Sequence, residues 1–331
     1  MSPDEPPVKA APVKPAPPKP APWAFAAPWG ARGYVSDLDG PVHWIEFGAD
    51  DASARAKQTP IVFVHGLGGS HLNWCLIGPQ LAAGRRAVAL DLHGFGLTPG
   101  TRGTSTVQRN TRLLDRFVRE VTGTPVILVG NSMGGLISIR HTVNAPDTVR
   151  GLVLIDPALP APPRLPDRQV GSQFLMYALP GVGELYLRSV LSRRPPQLAV
   201  QRVIDLCFAD PSRIDPAMFA ASIALAAERQ SQRQGQDQRA RDEAFLAASR
   251  SLLRVAGRRG RYWQMMASIR VPVLLIGGEA DRLVPAASMR QAASRNPGWE
   301  TVILPGVGHT PQLEVPDAVA GQLADWLARH F

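Results

Sequence analysis

The fold of this chain is indicated most strongly by residues 125–144, which read PVILVGNSMGGLISIRHTVN. The apolar run VILV is typical of a strand buried in a sheet, and GGLISIRHTV has the spacing of a helix. Between them, residues 130–134 form a Gly-x-Ser-x-Gly pattern. A serine on such a sharp strand-to-helix turn adopts a strained backbone and is presented near a helix N-terminus. The segment therefore predicts a nucleophilic serine at Ser132.

Six more apolar runs have the same character: VHWIEF at 42–47, PIVFVHG at 60–66, AVALDLHG at 87–94, GLVLIDPA at 151–158, VPVLLIGG at 271–278 and TVILPG at 301–306. Nearly continuous apolar strands punctuated by glycine and proline are typical of a buried, largely parallel sheet. Helical patterns lie between them, near 71–83, 107–121, 133–144, 286–295 and 316–330. This alternation predicts an α/β fold with a mostly parallel sheet flanked by helices.

The alternation stops between residues 160 and 270, where segments with helical periodicity replace the strand-like runs. Near the start of the chain, nine of the twenty residues from 3 to 22 are proline. Such a composition favours extended conformations and cannot bury a core. We therefore predict a disordered Pro-rich tail at 1–28, a core built from 29–159 and 271–331, and a helical cap at 160–270.

A serine hydroxyl is a weak nucleophile, so it needs a base and an acid that orients the base. In open α/β sheets such residues lie just beyond the carboxyl ends of strands. Asp281 follows the run VPVLLIGG and His309 follows TVILPG, which gives the chain order Ser132, Asp281, His309. We expect Asp281 to orient His309 and His309 to act as the general base. Glu279 and Asp156, which also follow predicted strands, are the alternatives for the acid.

Attack on a carbonyl group requires N–H donors for the oxyanion that forms. The backbone of Met133, directly after the serine, is one expected donor. The second is expected in the glycine-rich sequence HGLGG at 65–69, which follows the strand-like run PIVFV, and Leu67 is the predicted donor. The sequence therefore predicts an oxyanion hole formed by Leu67 and Met133.

The chain carries a formal net charge of +9, with arginine-rich stretches between 164 and 270. No pattern typical of DNA-binding helices, zinc fingers or aromatic RNA-binding sheets accompanies this charge, so a solvated basic face is favoured over a nucleic-acid site. Cys75 and Cys207 lack the spacing of a metal site or a disulfide framework. Since no secretory signal and no run of ~18 apolar residues is found, we expect no integral membrane segment and a cytoplasmic location.

Over 32–331 the chain resembles the α/β-hydrolase superfamily. Five patterns carry the resemblance: HGLGGSHLNW at 65–74, DLHGFGLT at 91–98, GNSMGG at 130–135, GEADRLVP at 278–285 and GHTPQLE at 308–314. The resemblance implies an α/β-hydrolase sheet with a helical cap over the site. It also implies a serine esterase that forms an acyl-enzyme on Ser132, with His309 as base and Asp281 as orienting acid. It implies no cofactor and no metal, and it leaves the oligomeric state open.

The expected substrate is a small-molecule ester or a related acyl compound. GNSMGG, with Asn131 before the serine, also resembles hydrolases that cleave carbon–carbon bonds in ring-cleavage products of aromatic compounds. Those enzymes usually have a Gly-Pro-Gly turn in the oxyanion loop and a tryptophan after the catalytic histidine, whereas this chain has GGS at 68–70 and TP at 310–311. A carboxylester hydrolase is therefore favoured over a carbon–carbon hydrolase. The alternative of another class is a non-catalytic ligand-binding protein, against which the intact triad argues.

Overall fold

The structure is a computed structural model of the 331-residue chain. It describes residues 18–20, 25–48, 58–100, 103, 105–160, 168–187, 189, 194–231 and 236–331. Within these ranges the strands form one nine-stranded sheet. Its strands are β1 Lys19–Pro20, β2 Ala31–Asp37, β3 Pro41–Phe47, β4 Ile61–Val64, β5 Ala87–Leu90, β6 Val126–Asn131, β7 Val149–Ile155, β8 Val273–Gly278 and β9 Glu300–Leu304.

The spatial order of the strands is β1-β2-β3-β5-β4-β6-β7-β8-β9. From β5 through β4, β6, β7 and β8 to β9 the neighbours are parallel, whereas β1, β2 and β3 join the sheet antiparallel at one side. The predicted mostly parallel sheet is therefore confirmed. Because the parallel strands run in one direction, the loops after them meet along a single edge, where such sheets build their sites.

Strand β6 explains why the predicted strands are apolar without interruption. Val126 and Leu128 belong to the core cluster on one face of the sheet, and Ile127 and Val129 belong to the cluster on the other face. Successive side chains of a strand point to opposite faces. Since helices cover both faces, every position of β6 is buried and an apolar residue is favoured at each.

The described helices flank this sheet on both sides. They are α1 Gly78–Leu81, α2 Val107–Arg116, α3 Met133–Asn144, α4 Arg168–Ala178, α5 Val182–Tyr186, α6 Pro196–Cys207, α7 Pro216–Ser231, α8 Gln236–Gly257, α9 Arg259–Ala267, α10 Ala286–Arg295, α11 Pro311–Glu314 and α12 Pro316–His330. Apolar residues of α2 and α3 pack on one face, and those of α12 pack on the other. No helix in the described part of the chain is both long enough and apolar enough to cross a membrane.

Between β7 and β8 the described residues form helices α4 to α9. This stretch coincides with the segment predicted as a helical cap at 160–270. It is attached to the sheet domain by the Tyr262 hydroxyl, which donates to the Ala158 carbonyl at 2.7 Å. A second attachment is the backbone N–H of Val107, which donates to Ser251 Oγ at 2.9 Å. Its assignment as a separate cap unit stays a prediction.

Strand β2 lies outside the predicted strands, and the structure differs from the sequence-based expectations in two further places. Part of the predicted disordered tail carries regular structure, because β1 pairs with β2 and Ala26 is fully buried. The tail boundary at residue 28 is therefore too late, while residues 1–17 and 21–24 lie outside the described ranges. The single helix expected near 71–83 is instead a short 3-10 helix, His71–Trp74, followed by α1. Pro79 accounts for the break, since it lacks an N–H and is accepted only in the first turn of α1.

Candidate active site

Ser132 connects β6 to α3 and adopts a backbone conformation that few non-glycine residues take, with φ 54° and ψ −119°. Such a conformation costs about 1–3 kcal/mol and persists only when its surroundings enforce it. Here the N–H of Ser132 donates to the Ile155 carbonyl at 3.1 Å. The Ser132 carbonyl accepts the N–H groups of Leu136 and Ala158 at 3.2 and 2.9 Å. The turn is therefore held by hydrogen bonds on both sides of the serine.

The glycines around Ser132 are required by close backbone contacts. A Cβ atom on Gly134 would lie 2.1 Å from the Val64 carbonyl oxygen, and one on Gly130 would lie 2.7 Å from the Gly134 oxygen. Helix α3 can therefore approach β4 and β6 only because these positions carry no side chain. The loop after β4 also lies against the serine, since a Cβ on Gly66 would be 3.0 Å from the Ser132 Cβ.

His309 and Asp281 form the hydrogen bond that the sequence predicts. His309 Nδ1 lies 2.7 Å from Asp281 Oδ2, and both residues are buried. The other oxygen, Asp281 Oδ1, accepts the N–H groups of Leu283 and Val284 at 2.7 and 3.0 Å. An ionised aspartate that accepts from Nδ1–H leaves Nε2 of the imidazole free to take a proton. The pair thus has the chemistry of an oriented general base.

Asn131 joins the turn that carries Ser132, between β6 and α3, to the loop after β9 that carries His309. We call these the serine turn and the histidine loop. Sequence reasoning missed this role of Asn131. Its side-chain Nδ2 donates to the Ile155 carbonyl at 3.0 Å and to the His309 carbonyl at 3.1 Å. Among the described residues no hydrogen bond joins the Ser132 hydroxyl to the His309 ring, so this amide is the direct link between the two loops. The available signal was a buried polar residue at the end of an otherwise apolar strand.

Glu314 was also missed, although it lies within the pattern GHTPQLE at 308–314. Its buried carboxylate accepts the N–H groups of Gly308, Ala209 and Asp210 at 2.8, 3.1 and 3.0 Å. The N–H of His309 donates in turn to the Cys207 carbonyl at 2.6 Å. The histidine loop is therefore bonded to the end of α6, which lies in the helical segment between β7 and β8.

The two alternative acids lie in different surroundings. The Glu279 side chain is half exposed and pairs with Arg290 at 3.5 Å, so the structure does not bring it to the histidine. Asp156 is fully buried, and one carboxyl oxygen lies within 4.8 Å of ligand atoms of both Asp281 and His309. Burial raises the pKa of Asp156 well above its ordinary value, and the negative charge of Asp281 raises it further.

The predicted oxyanion donors lie in the residue after the serine and in the loop after β4. Met133 is the first residue of α3, and Leu67 lies half-buried in the loop after β4. That loop is shaped by His65, whose Nδ1 is 2.7 Å from the Gly66 carbonyl and whose Nε2 accepts the N–H of Leu92 at 3.0 Å. Burial lowers the pKa of His65 to about 4, so its ring is neutral and donates through Nδ1–H. The loop backbone is thereby fixed beside Ser132.

Two groups of described side chains bring metal-ligand atoms together: the set of Asp156, Asp281 and His309, and the set of His43, His71 and Asp91. In the second set Asp91 accepts from the ring Nδ1 atoms of His43 and His71 at 2.8 and 2.9 Å. Its oxygens also accept the backbone N–H groups of His71 and Leu97 at 2.7 and 2.9 Å. In both sets the carboxylate oxygens are occupied by N–H donors, which is the pattern of a hydrogen-bonded network.

Comparison with known proteins places this geometry in a family. Residues 61–322 match the model of the alpha/beta hydrolase family. The chain belongs to this family. The matched range includes β4, the serine turn, the histidine loop and the first half of α12, so the fold and the enzyme class are those of a hydrolase.

Individual relatives are distant and differ in chemistry. The chain is 26% identical over 321 residues to the dihydrolipoyllysine-residue acetyltransferase component of the acetoin cleaving system from Pseudomonas putida, covering 92% of this chain and 75% of that protein. It is 27% identical over 274 residues to a 2-hydroxy-6-oxononadienedioate/2-hydroxy-6-oxononatrienedioate hydrolase from Escherichia coli, covering 81% and 87%. A haloalkane dehalogenase from Agrobacterium tumefaciens C58 superposes with a TM-score of 0.72 at 21% identity, covering 91% and 98% of the two chains.

Proposed function

We propose that this hydrolase cleaves carboxylic esters of small molecules through an acyl-enzyme on Ser132. The observation that carries the proposal is the combination of a strained serine at the start of α3 with the buried His309–Asp281 hydrogen bond of 2.7 Å. Backbone strain of this kind, at the end of a buried strand, is typical of a functional site. Asn131 supports the proposal further, because it fastens the loop of the base to the turn of the nucleophile.

The proposed reaction has two halves. In the first, Ser132 Oγ attacks the ester carbonyl carbon while His309 Nε2 takes the hydroxyl proton. The N–H groups of Met133 and Leu67 stabilise the oxyanion, each donor being worth ~3 kcal/mol. The carbon–oxygen bond to the alcohol then breaks, and His309 returns the proton to the leaving alcohol. In the second half His309 deprotonates a water, which attacks the acyl carbon. The bond from that carbon to Ser132 Oγ then breaks, His309 returns the proton to Ser132 Oγ, and the acid is released.

Asp281 serves both halves by holding the imidazole with Nε2 directed at the reacting atoms. It also stabilises the imidazolium that forms after each proton transfer. The backbone N–H groups of Leu283 and Val284 fix the carboxylate through its second oxygen, so the acid can turn little. An acid held in this way lowers the reorganisation needed during the reaction.

The decisive experiment is labelling with a fluorophosphonate probe, which forms a covalent bond to an activated serine. We expect the wild type to be labelled and Ser132→Ala to be unlabelled. Ser138→Ala is the matched control, since Ser138 is a buried serine of the same helix α3. A series of p-nitrophenyl esters of increasing chain length then defines the acyl group. No labelling of the folded wild type contradicts the proposal and favours a ligand-binding protein.

A second candidate is a carbon–carbon bond hydrolase. It is favoured by the match to the Escherichia coli hydrolase, which covers 81% of this chain. The same serine, base and acid serve that reaction, so the two candidates differ in substrate and not in the triad. Turnover of a ring-cleavage dienone in the absence of any turnover of p-nitrophenyl esters would favour the carbon–carbon hydrolase. The opposite pattern would favour the esterase.

A further inference from the structure

A groove of about 560 Å³ lies between α2, α3, α8 and α9, and neither Ser132 nor His309 lines it. Four arginines line it, one each from α3, α8, the turn after α8 and α9: Arg140, Arg254, Arg258 and Arg261. We name it the arginine groove. The first turn of α2 also lines it, and the positive end of that helix dipole adds to the potential there.

The arginine groove holds positive charge without compensation. Among the described residues, no acid lines the groove. None of the four arginines forms an ion pair with another described residue. Arg140 is partly buried, and its Nε is shielded from solvent with no hydrogen-bond partner in the described part of the chain. Burial lowers the pKa of Arg140, and the neighbouring charge of Arg261 lowers it further.

Two arginines outside the groove illustrate the contrast, because each has an acidic partner. Arg250 pairs with Glu184 at 2.9 Å, and Arg329 pairs with Glu300 at 2.6 Å. Like charges that share a concave site repel one another and raise the free energy of the folded state unless a counter-charge occupies the site. A guanidinium presents a planar fork of N–H donors that matches the oxygens of a phosphate, and several forks together favour an anion with more than one charge.

We propose that the arginine groove binds a phosphate ester. Its volume of about 560 Å³ leaves room for a second phosphoryl group or an organic portion beside the phosphate. The ligand would bridge α3, which begins beside Ser132, and α9, which leads into β8. Binding there should therefore stabilise the junction between the sheet and the helical segment. The phosphate could belong to a soluble metabolite or to an anionic lipid headgroup, and the two sources are separated below.

The test is calorimetric titration with inorganic pyrophosphate, compared with sodium chloride at equal ionic strength. We expect saturable binding of pyrophosphate by the wild type, at least tenfold weaker binding by Arg140→Gln, and wild-type affinity in Arg202→Gln. Arg202 is an exposed arginine of α6 outside the groove and serves as the matched control. Pyrophosphate binding no stronger than that of chloride, or equal loss in Arg140→Gln and Arg202→Gln, would overturn the proposal.

Thermal denaturation gives a second test, in which the direction of the change in melting temperature is predicted. Without an anion, Arg254→Gln/Arg261→Gln should melt at a higher temperature than the wild type, because repulsion in the groove is reduced. With pyrophosphate the order should reverse. Sedimentation with phosphatidylcholine vesicles that contain phosphatidic acid identifies the source. Vesicle binding lost in the double variant assigns the phosphate to a lipid headgroup, and pyrophosphate binding without vesicle binding assigns it to a soluble metabolite.

A different observation concerns Asp156, the residue after β7. It has φ 39°, and its two carboxyl oxygens lie 3.1 and 3.0 Å from the N–H of Gly278. The buried carboxyl groups of Asp156 and Asp281 have oxygens within 4.8 Å of each other. Two such groups cannot both carry a charge at low cost, so one of them holds a proton. Asp281 accepts from His309 and from two backbone N–H groups, whereas among the described residues Asp156 accepts only from the N–H of Gly278. The proton therefore resides on Asp156.

We infer that neutral Asp156 donates a hydrogen bond to Asp281 and so fixes the carboxylate that orients His309. Asp156 is then a positioning residue, and the inference rests on the proposed function. In the part of the chain that the structure describes, the buried titratable groups within 4.8 Å of it are Asp281 and His309. As the pH rises and Asp156 loses its proton, the two carboxylates repel, and the orientation of His309 is lost.

The matched pair of variants is Asp156→Asn and Asp156→Ala. The asparagine retains a donor for Asp281 and an acceptor for Gly278, so we expect kcat near that of the wild type and no decline at alkaline pH. The alanine removes the donor, so we expect kcat to fall at least tenfold with KM little changed, about the factor that a hydrogen bond to a charged group supplies. Identical kcat values and pH profiles for the two variants would overturn the inference.

Infrared spectroscopy separates this inference from the proposed function. A protonated carboxyl band should be present in the wild type at neutral pH and absent from Asp156→Asn, whether or not the protein hydrolyses esters. Absence of that band from the folded wild type would refute a neutral Asp156. Failure of the fluorophosphonate probe to label the wild type would refute the esterase and leave the band unaffected.

Discussion

Replacing Asn131 with alanine tests the link between the serine turn and the histidine loop. The variant removes two hydrogen bonds, one to the Ile155 carbonyl and one to the His309 carbonyl, at 3.0 and 3.1 Å. The Ile155 carbonyl keeps the N–H of Ser132 at 3.1 Å, so it stays satisfied. The His309 carbonyl has no other donor among the described residues. The substitution therefore leaves the buried His309 carbonyl without a hydrogen-bond donor.

The two losses differ in magnitude. An ordinary hydrogen bond contributes ~1 kcal/mol, and an unpaired buried carbonyl costs ~1–3 kcal/mol. Asn131→Ala should thus lower the free energy of unfolding by about 2–4 kcal/mol, with the unfolding slope in urea unchanged. The rate of fluorophosphonate labelling should fall as well, since the histidine loop is no longer fastened to the nucleophile.

The assay is urea denaturation followed by tryptophan fluorescence, together with the labelling rate in the folded baseline. Asn144→Ala is the control, because Asn144 is an exposed asparagine of α3, and its substitution should change stability by less than about 0.5 kcal/mol. A destabilisation of Asn131→Ala below about 1 kcal/mol with an unchanged labelling rate would refute the proposed link.

Four further outcomes are expected. Asp281→Asn should lower ester turnover about a thousandfold or more while the melting temperature stays close to that of the wild type, since an amide holds the wrong imidazole tautomer; equal turnover would disprove the assignment. Gly134→Ala should give no soluble protein, because its Cβ would lie 2.1 Å from a carbonyl oxygen of β4. Glu314→Gln should cost about 2 kcal/mol in thermal denaturation, because its amide NH₂ would face backbone N–H donors. Arg250 lowers the pKa of Glu184 from 4.5 to about 2, so the unfolded chain binds more protons between these values; the stability advantage over Glu184→Gln should be complete above pH 4.5 and shrink as the pH falls toward about 2.

The sheet could be predicted from sequence where strands are buried on both faces. Strand β6 and its parallel neighbours are continuous apolar runs, and each was located to within a few residues. Strand β2 was missed, because its buried positions include Ala31, Gly33 and Ser36, which are small or polar. A strand at the antiparallel side of the sheet needs only one apolar face, and small residues there leave no periodic signal.

The residues of the candidate site could likewise be predicted only in part. The positions of Ser132, Asp281 and His309 follow from local patterns, since each lies within a few residues of the end of a strand. The supporting contacts do not, because Asn131 bonds a residue 178 positions away and Glu314 bonds one 105 positions away. Contacts across such distances depend on how the elements pack, and no spacing rule encodes them. The arginines of the groove likewise resemble a solvated basic face until the fold brings them together.

The strained backbone at Ser132 is held independently of the serine side chain. Its backbone conformation is enforced by hydrogen bonds from Leu136 and Ala158 and by the close approach of α3 to β4, none of which involves the hydroxyl. Another small polar side chain at position 132 would therefore be presented at the same point as the serine hydroxyl. In evolution, a single substitution at this position could therefore change the reactive atom while the backbone that holds it stays the same.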